Sequence, residues 1–408
     1  MTALEYRSIQ PSEVDAFRAA YQRGFGSDPI DDPAAAERWR KIQPLERTVA
    51  AFDGDEIVGT LGDFALMLTL PGGTQIPMAG TTEVTVRATH RRRGLLREMM
   101  SRHLAMAAER GEPVAGLWAS ESGIYGRFGF GLATECHEVS VDGRAVGAPA
   151  PAEDLVVSAI EGDQLETVVA PFWTAVAASD RAGFVERSRE RWEELVIDPE
   201  RERGGATAGR HVVVHRRHEV VGYLAYRQHR KWVDNVPQGT VEVNCLVGAD
   251  ADAVLALWHL ATNIDLFPKV SYWDAPVDDP LASQAADARA VKRNLLDGLY
   301  LRILDVPVVL AARRYEHDGE LVLEVDDPAG HAAGTYRLTV EAGRGAIERT
   351  DRTPDIRLGI RELGALSLGR DAVNLLTSTG LVTGSEAAIA DLDRLFRTRR
   401  APWCPEMF

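Results

Sequence analysis

Cysteine is scarce in this sequence and follows no pattern. The 408 residues include three cysteines, Cys136, Cys245 and Cys404, which lie far apart. An odd number without short spacings predicts neither a disulfide framework nor a zinc site, so we expect reduced thiols. The histidines between His211 and His218 fall in a strand-and-turn pattern that does not direct their side chains to one point, and we expect no metal.

Long apolar stretches and excess positive charge are also absent. No segment approaches the roughly 18 consecutive apolar residues of a membrane span, and the first ten residues mix acid and base where a secretory signal would be apolar. We therefore expect a cytoplasmic protein without a membrane span. The formal net charge of −15 argues against nucleic-acid binding and favours attraction of cationic substrates, although many acidic proteins are merely soluble.

The remaining composition is that of a globular protein. Hydrophobic residues make up 45% and charged residues 26% of the chain, as in ordinary folded domains. The length predicts two or three domains, and we expect three. No GxSxG motif is present and no cysteine nucleophile is supported, so the sequence gives no ground for a hydrolase of those classes.

The N-terminal third alternates between strand and helix patterns. "TVAAFDGDEIVGTLGDFALML", from Thr48, predicts two strands joined by an Asp-Gly turn, and "EVTV" predicts a third. A helix is predicted before them, with Ser12 as its N-cap, and another after them that ends at Gly111. With the buried strand "PVAGLWAS" this arrangement is typical of a mixed α/β layer.

The hairpin pattern occurs twice in the chain. "HVVVHRRHEVVGYLAYR", from His211, aligns without gaps with the segment from Thr48 at an offset of 211 − 48 = 163 residues, and such a repeat predicts two related domains. A segment rich in Pro, Ala and Gly at 143–154 predicts a boundary. From about Ala290 we expect strands with turns and then helices. The predicted domains are 1–150, 151–290 and 291–408.

A cluster of basic residues lies where a strand runs into a helix, in "VTVRATHRRRGLLREMM" from Val84 to Met100. A helix N-terminus presents free backbone N–H groups that favour an anion. Gly94 has no Cβ to keep a phosphate away, and the arginines add charged donors. With a single glycine it is neither a P-loop nor a GxGxxG motif. The segment predicts a diphosphate cradle; the alternative is a solvated helix face.

Motifs in and beyond this segment resemble a known family. "RRRGLL" resembles the RxxGxG or RxxGxA motif of GCN5-related N-acetyltransferases (GNAT), with Leu96 in place of a small residue. "WASESGIYGRFGFGLAT" and the aromatic C-terminal residue are similar to the Eis (enhanced intracellular survival) family. The resemblance implies mixed α/β sheets in tandem GNAT domains, of which only the first binds coenzyme, a C-terminal domain like sterol carrier proteins, and assembly as a homohexamer.

The resemblance also implies acetyl-coenzyme A as cosubstrate and places it on numbered residues. The strand residues Val84, Thr85 and Val86 would pair with the pantetheine arm, and Ser120 and Glu121 would face the coenzyme. The diphosphate would lie on the following run, which consists of Arg92, Arg93, Gly94, Leu95, Leu96 and Arg97.

Two catalytic roles follow from the same resemblance. An ammonium must lose a proton before it attacks a thioester, and the departing thiolate benefits from a proton donor. The resemblance assigns the donor to Tyr125 and the base to the terminal carboxylate of Phe408. The alternatives are an aromatic ring packed beside Phe128 and Phe130, and a tail that is merely packed.

The amine that accepts the acetyl group is the least specified part of the prediction. The resemblance implies a large acidic pocket for aminoglycosides or lysine side chains, and polyamines are a further class of cationic amine. The candidate residues are Phe25, Asp28, Trp39 and Glu406. Family members often have Glu directly before the terminal Phe, whereas this chain has Met407. The alternative function is a lipid or small-ligand carrier with a degenerate acetyltransferase site.

Overall fold

The computed structural model describes residues 4–30, 32–179 and 181–408. They form two compact units. The first combines the residues up to Thr134 with Leu299–Phe408, and the second is Glu135–Gly298. Within the described residues, no helix has the length and apolar character needed to cross a bilayer.

The first seven-stranded sheet belongs to the first unit, and its strand order is β1-β2-β3-β4-β5-β16-β6. Its elements up to residue 134 are β1 (Glu5–Arg7), α1 (Val14–Gly24), α2 (Pro33–Ile42), β2 (Ala50–Asp53), β3 (Glu56–Thr69), β4 (Gln75–Val86), α3 (Leu95–Glu109), β5 (Val114–Trp118) and β6 (Gly131–Leu132). The seventh strand, β16 (Leu299–Ile303), comes from far along the chain and pairs with both β5 and β6.

The predicted hairpin is confirmed. Strands β2 and β3 pair antiparallel around a turn whose Gly54 has a φ of 61°, a conformation that glycine adopts without strain. The predicted cap of the first helix is wrong. A 3-10 turn (Pro11–Glu13) precedes α1, and the side chains of Gln10 and Glu13 form a capping box there.

Helix α3 packs on one face of the sheet through a buried apolar side that includes Leu95, Met99 and Leu104. A buried polar cluster accompanies this packing. Asp63 of β3 contacts His103 of α3 at 3.2 Å and also pairs with Arg47 and Arg110. A buried carboxylate requires such partners because an unpaired charge in a core is costly. The cluster therefore fixes α3 against the sheet.

Strands β4 and β5 pair only over a short stretch. They are parallel, and the paired residues are Met78–Gly80 and Val114–Gly116. Beyond Gly80 the ladder between the two strands stops within the described residues, and β5 continues beside β16. The two strands thus diverge into a wedge that exposes one edge of β4.

The second sheet lies in the second unit and has the order β15-β7-β14-β13-β10-β9-β8. Its elements are β7 (Glu135–Asp142), β8 (Leu155–Ile160), α4 (Ala170–Ala177), α5 (Arg189–Val196), β9 (Arg210–Arg216), β10 (Glu219–His229), β11 (Trp232–Val233), β12 (Val236–Pro237), β13 (Thr240–Gly248), α6 (Ala251–Thr262), β14 (Lys269–Pro276), α7 (Leu281–Gln284) and β15 (Val291–Asp297). Strands β11 and β12 form a separate small hairpin.

The two sheets share one topology, as the repeat predicts. The run β2-β3-β4-β5 corresponds to β9-β10-β13-β14, with a single parallel pair in each. The strand beside that parallel pair is β16 in the first sheet and β7 in the second. The first sheet is therefore completed by a strand that follows the second copy in the sequence, and the second sheet by a strand that follows the first copy.

The C-terminal third carries a five-stranded sheet in the order β19-β18-β17-β20-β21. Its elements are α8 (Val306–Ala312), β17 (Gly319–Asp326), β18 (Gly334–Glu341), β19 (Arg344–Arg349), β20 (Ile356–Gly359), α9 (Ile360–Leu366), α10 (Val373–Ser378), β21 (Val382–Gly384) and α11 (Glu386–Phe396). One prediction is wrong here: the apolar run after Asp305 is helix α8, not a strand. Asp305 caps its first turn by accepting from Val308 N–H, which the β-branched composition hides.

The chain end packs on the protein, as its apolar composition predicts. Trp403 and Cys404 are 3% and 0% exposed, and Glu406 is also buried. The indole Nε1 of Trp118, at the end of β5, donates to the backbone oxygen of Glu406 at 2.9 Å. The last residues therefore lie at the point where β4 and β5 diverge.

Candidate active site

A cavity of about 710 Å³ opens in the wedge beside the diverging strands. The residues that line it are Gly24, Phe25, Val84, Thr85, Val86, His90, Arg91, Arg92, Gly94, Leu95, Leu96, Arg97, Ser120, Glu121, Ile124, Tyr125, Arg127 and Phe128. All the coenzyme residues predicted from the sequence lie on this wall except Arg93. The cavity therefore joins the exposed edge of β4 to the N-terminus of α3.

The helix end of the cavity is suited to an anion. Gly94 is the N-cap of α3, and its φ of 87° is left-handed. No described atom lies within 4 Å of the position that a Cβ on Gly94 would take. The backbone N–H groups of Leu95, Leu96 and Arg97 occupy the first turn, where no intrahelical acceptor is available. These donors and the helix dipole attract negative charge.

Arginine side chains surround this helix end. Arg92, Arg97 and Arg127 are exposed and reach the same cavity. The Nε of Arg91 donates to the backbone oxygen of Val86 at 3.4 Å, which ties the arginine turn to β4. Guanidinium groups form two parallel hydrogen bonds with phosphate and stay charged at any physiological pH.

The lining of the cavity includes Tyr125. This residue begins a 3-10 turn (Tyr125–Phe128), is 5% exposed, and packs edge-to-face on Phe130 at 6.1 Å. Burial and the nearby charge of Glu121 raise the pKa of Tyr125, while a hydrogen bond with Ser120 opposes that rise. A raised pKa keeps the hydroxyl protonated at neutral pH, as a proton donor requires.

The terminal residue lies on the other face of β4 from α3. Thr81 of β4 is hydrogen-bonded to His103 of α3, so the neighbouring Gly80 faces away from that helix. A Cβ on Gly80 would come within 3.1 Å of ring atom Cδ2 of Phe408. The aromatic tail thus covers the last paired residue of β4, beside the opening of the wedge, and a side chain at position 80 would displace it.

The predicted acceptor residues lie in different environments. Phe25 is 53% exposed and lines the cavity, and Asp28 is exposed outside the lining. Trp39 is buried, and its indole Nε1 donates to Glu83 Oε1 at 2.6 Å. Glu406 is buried near the end of the tail. Of these four residues, Phe25 alone lines the cavity described above.

Sequence reasoning missed several residues of the cavity. Gly24, at the end of α1, brings the helix backbone against Thr85, and Arg127 adds a further cation. Arg127 lies in the segment "SGIYGRFGF", two residues after Tyr125. The sequence pattern did not reveal the 3-10 turn that brings Arg127 to the cavity. Glu83 carried no signal, because a single acid in a strand pattern is usually solvent-exposed.

The residues present fit acetyl-coenzyme A. The site combines an unpaired strand edge for an amide-bearing arm, a helix N-terminus with arginines for a diphosphate, and space for an anion at Gly94. A sheet with a wedge between two parallel strands and an anion-binding helix after the first of them is the architecture of a GCN5-related N-acetyltransferase. The fold and the site define that class of enzyme.

Comparison with known families agrees with this class. A model described as an acetyltransferase (GNAT) domain matches residues 5–133, and a second model with the same description matches residues 183–303. A sterol carrier protein domain model matches residues 306–405. The expected fold class, tandem GNAT domains followed by a sterol-carrier-like domain, is confirmed.

Individual relatives narrow the assignment. An uncharacterized N-acetyltransferase of Streptomyces coelicolor is 36% identical, over 99% of this chain and 100% of its own. The N-acetyltransferase Eis of Mycobacterium tuberculosis is 34% identical, over 89% and 90%. The crystal structure of Eis1 from Mycobacterium abscessus superposes with a TM-score of 0.83 at 30% identity, covering 99% and 100%. The chain belongs to the Eis-like N-acetyltransferases.

Proposed function

We propose that this enzyme transfers the acetyl group of acetyl-coenzyme A to primary amines of cationic compounds such as aminoglycosides, polyamines or lysine side chains. The cosubstrate supplies the activated thioester. The single observation that carries the proposal is the cavity in which the predicted coenzyme residues, including Gly94, share a wall with Tyr125. Anion-binding groups and a buried phenol in the lining of one cavity are not expected of a degenerate site or a carrier.

At the coenzyme end, the protein binds and orients acetyl-coenzyme A. Backbone N–H groups at the start of α3, together with Arg92 and Arg97, hold the diphosphate. The edge of β4 at Val84 and Val86 pairs with the amide groups of the pantetheine arm. An arm paired in this way would direct the reactive carbonyl toward Tyr125, which lines the same cavity.

At the reacting end, two groups handle protons. Tyr125 donates its phenolic proton to the sulfur that leaves, and its raised pKa favours the protonated form before transfer. The carboxylate of Phe408 accepts the proton that the ammonium loses. A chain-terminal carboxyl has an ordinary pKa of about 3.5, so it is ionised at neutral pH and also attracts the cation.

The choice of a cationic acceptor is supported by charge. The net charge of −15 raises the local concentration of cations around the protein. The acceptor side carries the terminal carboxylate, and Phe25 offers an exposed ring that could pack on a sugar or an alkyl chain. Assembly as a homohexamer and a cytoplasmic location stay predictions from the family resemblance.

A thiol-release assay tests the proposal. The protein is incubated with acetyl-coenzyme A and, separately, with an aminoglycoside, spermidine and a lysine peptide, and the acetylated product is identified by mass spectrometry. We expect amine-dependent thiol release with at least one acceptor and little with the Gly94→Glu variant. Failure of all amine classes, with tight lipid binding and no coenzyme affinity, would instead support the carrier function.

A further inference from the structure

The face of the first sheet that carries Phe408 also contains a carboxyl group that no step described above uses. Glu83 lies at a bulge in β4, where Glu83 and Val84 together oppose one residue of β3, because Thr60 pairs with Thr85 and Gly62 with Thr82. Its φ of 54° is left-handed, which is uncommon for a residue with a side chain. A strained position of this kind re-aims a side chain and is found near functional sites.

The bulge directs Glu83 to the face that carries the tail. Its Oε2 lies 3.0 Å from the position that a Cβ on Gly62 would take. Gly62 precedes Asp63, whose side chain contacts α3, so Gly62 points to the opposite face. That is also the face on which Phe408 covers Gly80. Glu83 is three positions beyond Gly80 along the strand, a distance of about 10 Å between α-carbons.

The contacts of Glu83 leave one carboxylate oxygen unused. Oε1 accepts from Trp39 of α2 at 2.6 Å, whereas Oε2 is inaccessible to solvent and has no hydrogen-bond partner among the described residues. Arg18 of α1 is close enough to lower the pKa of Glu83, yet no ion pair between them is found in the described part of the chain. The Nε of Arg18 is also buried and without a partner there.

This environment makes Glu83 a stronger base than an ordinary carboxylate. Burial raises the pKa of Glu83 to about 7, against the smaller opposing effects of the Trp39 hydrogen bond and the Arg18 charge. The amide Nε2 of Gln43 also lies 3.3 Å from the position that a Cβ on Gly62 would take. A base with a pKa near the working pH is the most effective proton acceptor, whereas a terminal carboxylate with a pKa of about 3.5 is weak.

We propose that Glu83 is a second proton acceptor for the amine. Its Oε2, covered in this structure, takes the proton of the ammonium directly or through one water once a bound amine displaces the side chains over it. The proposal rests on the proposed acetyl transfer. The N–H bond of the ammonium breaks as the O–H bond on Glu83 forms, and the freed nitrogen attacks the acetyl carbon. The sulfur leaves with the proton of Tyr125, and the second proton, which the nitrogen loses as the amide forms, returns to the tyrosinate. The terminal carboxylate of Phe408 stays the other proton acceptor, a weaker base that also attracts the cation.

The test is the pH dependence of kcat/KM between pH 5.5 and 9 with an acceptor whose ammonium pKa lies above about 9, such as a lysine peptide. The wild type should show a rising limb with a midpoint near 7. Glu83→Gln keeps a side-chain oxygen that accepts the hydrogen bond of Trp39. It should remove the rising limb and lower kcat/KM by about 10²-fold at pH 8. Trp39→Phe removes a contact that lowers the pKa of Glu83, so its limb should shift to higher pH.

Controls separate this role from a structural one. Glu37→Gln, at an exposed position of α2, should reproduce the wild-type profile. Coenzyme A binding by calorimetry should be the same in Glu83→Gln as in the wild type. In ¹³C NMR titrations of the carboxyl groups, the wild type should show one group that titrates near 7 and that is missing from Glu83→Gln. The same carboxyl titrating near 4.5 overturns the proposal.

The two possible failures are distinguishable. A Glu83→Gln enzyme that keeps both the rate and the limb refutes the role of Glu83 and leaves the acetyl transfer standing. A wild type that acetylates no amine in the panel refutes the proposed function itself. A limb that moves in Trp39→Phe and vanishes in Glu83→Gln supports both.

Discussion

The glycine at the start of α3 offers a test that separates folding from coenzyme binding. Gly94 has a φ of 87° and no described atom within 4 Å of a Cβ position. Gly94→Ala therefore has a steric cost only in its own backbone, about 1–2 kcal/mol for a left-handed L-residue. Gly111 follows the other end of the same helix with a φ of 76° and equally open surroundings. Gly111→Ala is the matched control.

The two variants should melt alike and bind differently. Each kcal/mol lowers Tm by about 2–4 °C for a unit of this size, so both should melt a few degrees below the wild type. Only Gly94→Ala places a methyl group where a diphosphate must approach. Loss of one charge-assisted hydrogen bond, worth about 1.5–3 kcal/mol, weakens binding about 10- to 100-fold.

Titration calorimetry with coenzyme A, alongside thermal melts of both variants, provides the measurement. The reasoning fails if Gly94→Ala binds coenzyme A as tightly as Gly111→Ala. It also fails if the two variants lose affinity equally, because the loss would then reflect damage to the helix and not a methyl group in the diphosphate site.

Two further predictions concern buried side chains of the first unit. Tyr125→Phe should lower kcat by about 10²-fold with an unchanged Kd for coenzyme A, measured by thiol release and calorimetry; an unchanged rate removes the phenol from the mechanism. Burial alone would raise the pKa of Asp63, but hydrogen bonding with His103 and the charges of Arg47 and Arg110 hold it below its ordinary value. A lowered pKa contributes stability above the ordinary value of about 3.9 that is lost as pH falls through the folded-state pKa. Asp63→Asn should therefore cost about 3–5 kcal/mol at pH 7 in urea unfolding, with the difference from the wild type shrinking toward pH 3; a constant difference contradicts the argument.

Local patterns in the sequence were sufficient for the parts of the site that depend on neighbours in the chain. The Asp-Gly hairpin, the arginine turn before Gly94 and the apolar tail each follow from a short run of residue types. The diphosphate cradle could be predicted because a strand, a turn and a helix N-terminus are consecutive. Tyr125, seven residues beyond the end of β5, was selected by the family resemblance and not by a local pattern.

Features that depend on distant pairing could not be predicted from these patterns. The strand at Leu299–Ile303 completes the first sheet although about 160 residues of the second unit precede it, and no local pattern specifies that partner. Glu83 became notable only once α1 and α2 had packed over it, because burial and not residue type changes its pKa. The helix after Asp305 was hidden by its β-branched composition, which favours strands.

The central claim is that the last carboxylate of the chain, beside the wedge of β4 and β5, takes part in acetyl transfer to the amine. The most direct measurement compares the native enzyme with one extended by a short Gly-Ser tail after Phe408, which moves the carboxylate away while keeping the buried Trp403. The account predicts unchanged coenzyme A affinity by calorimetry and loss of acetyl transfer. An extended enzyme that turns over at the native rate would contradict it.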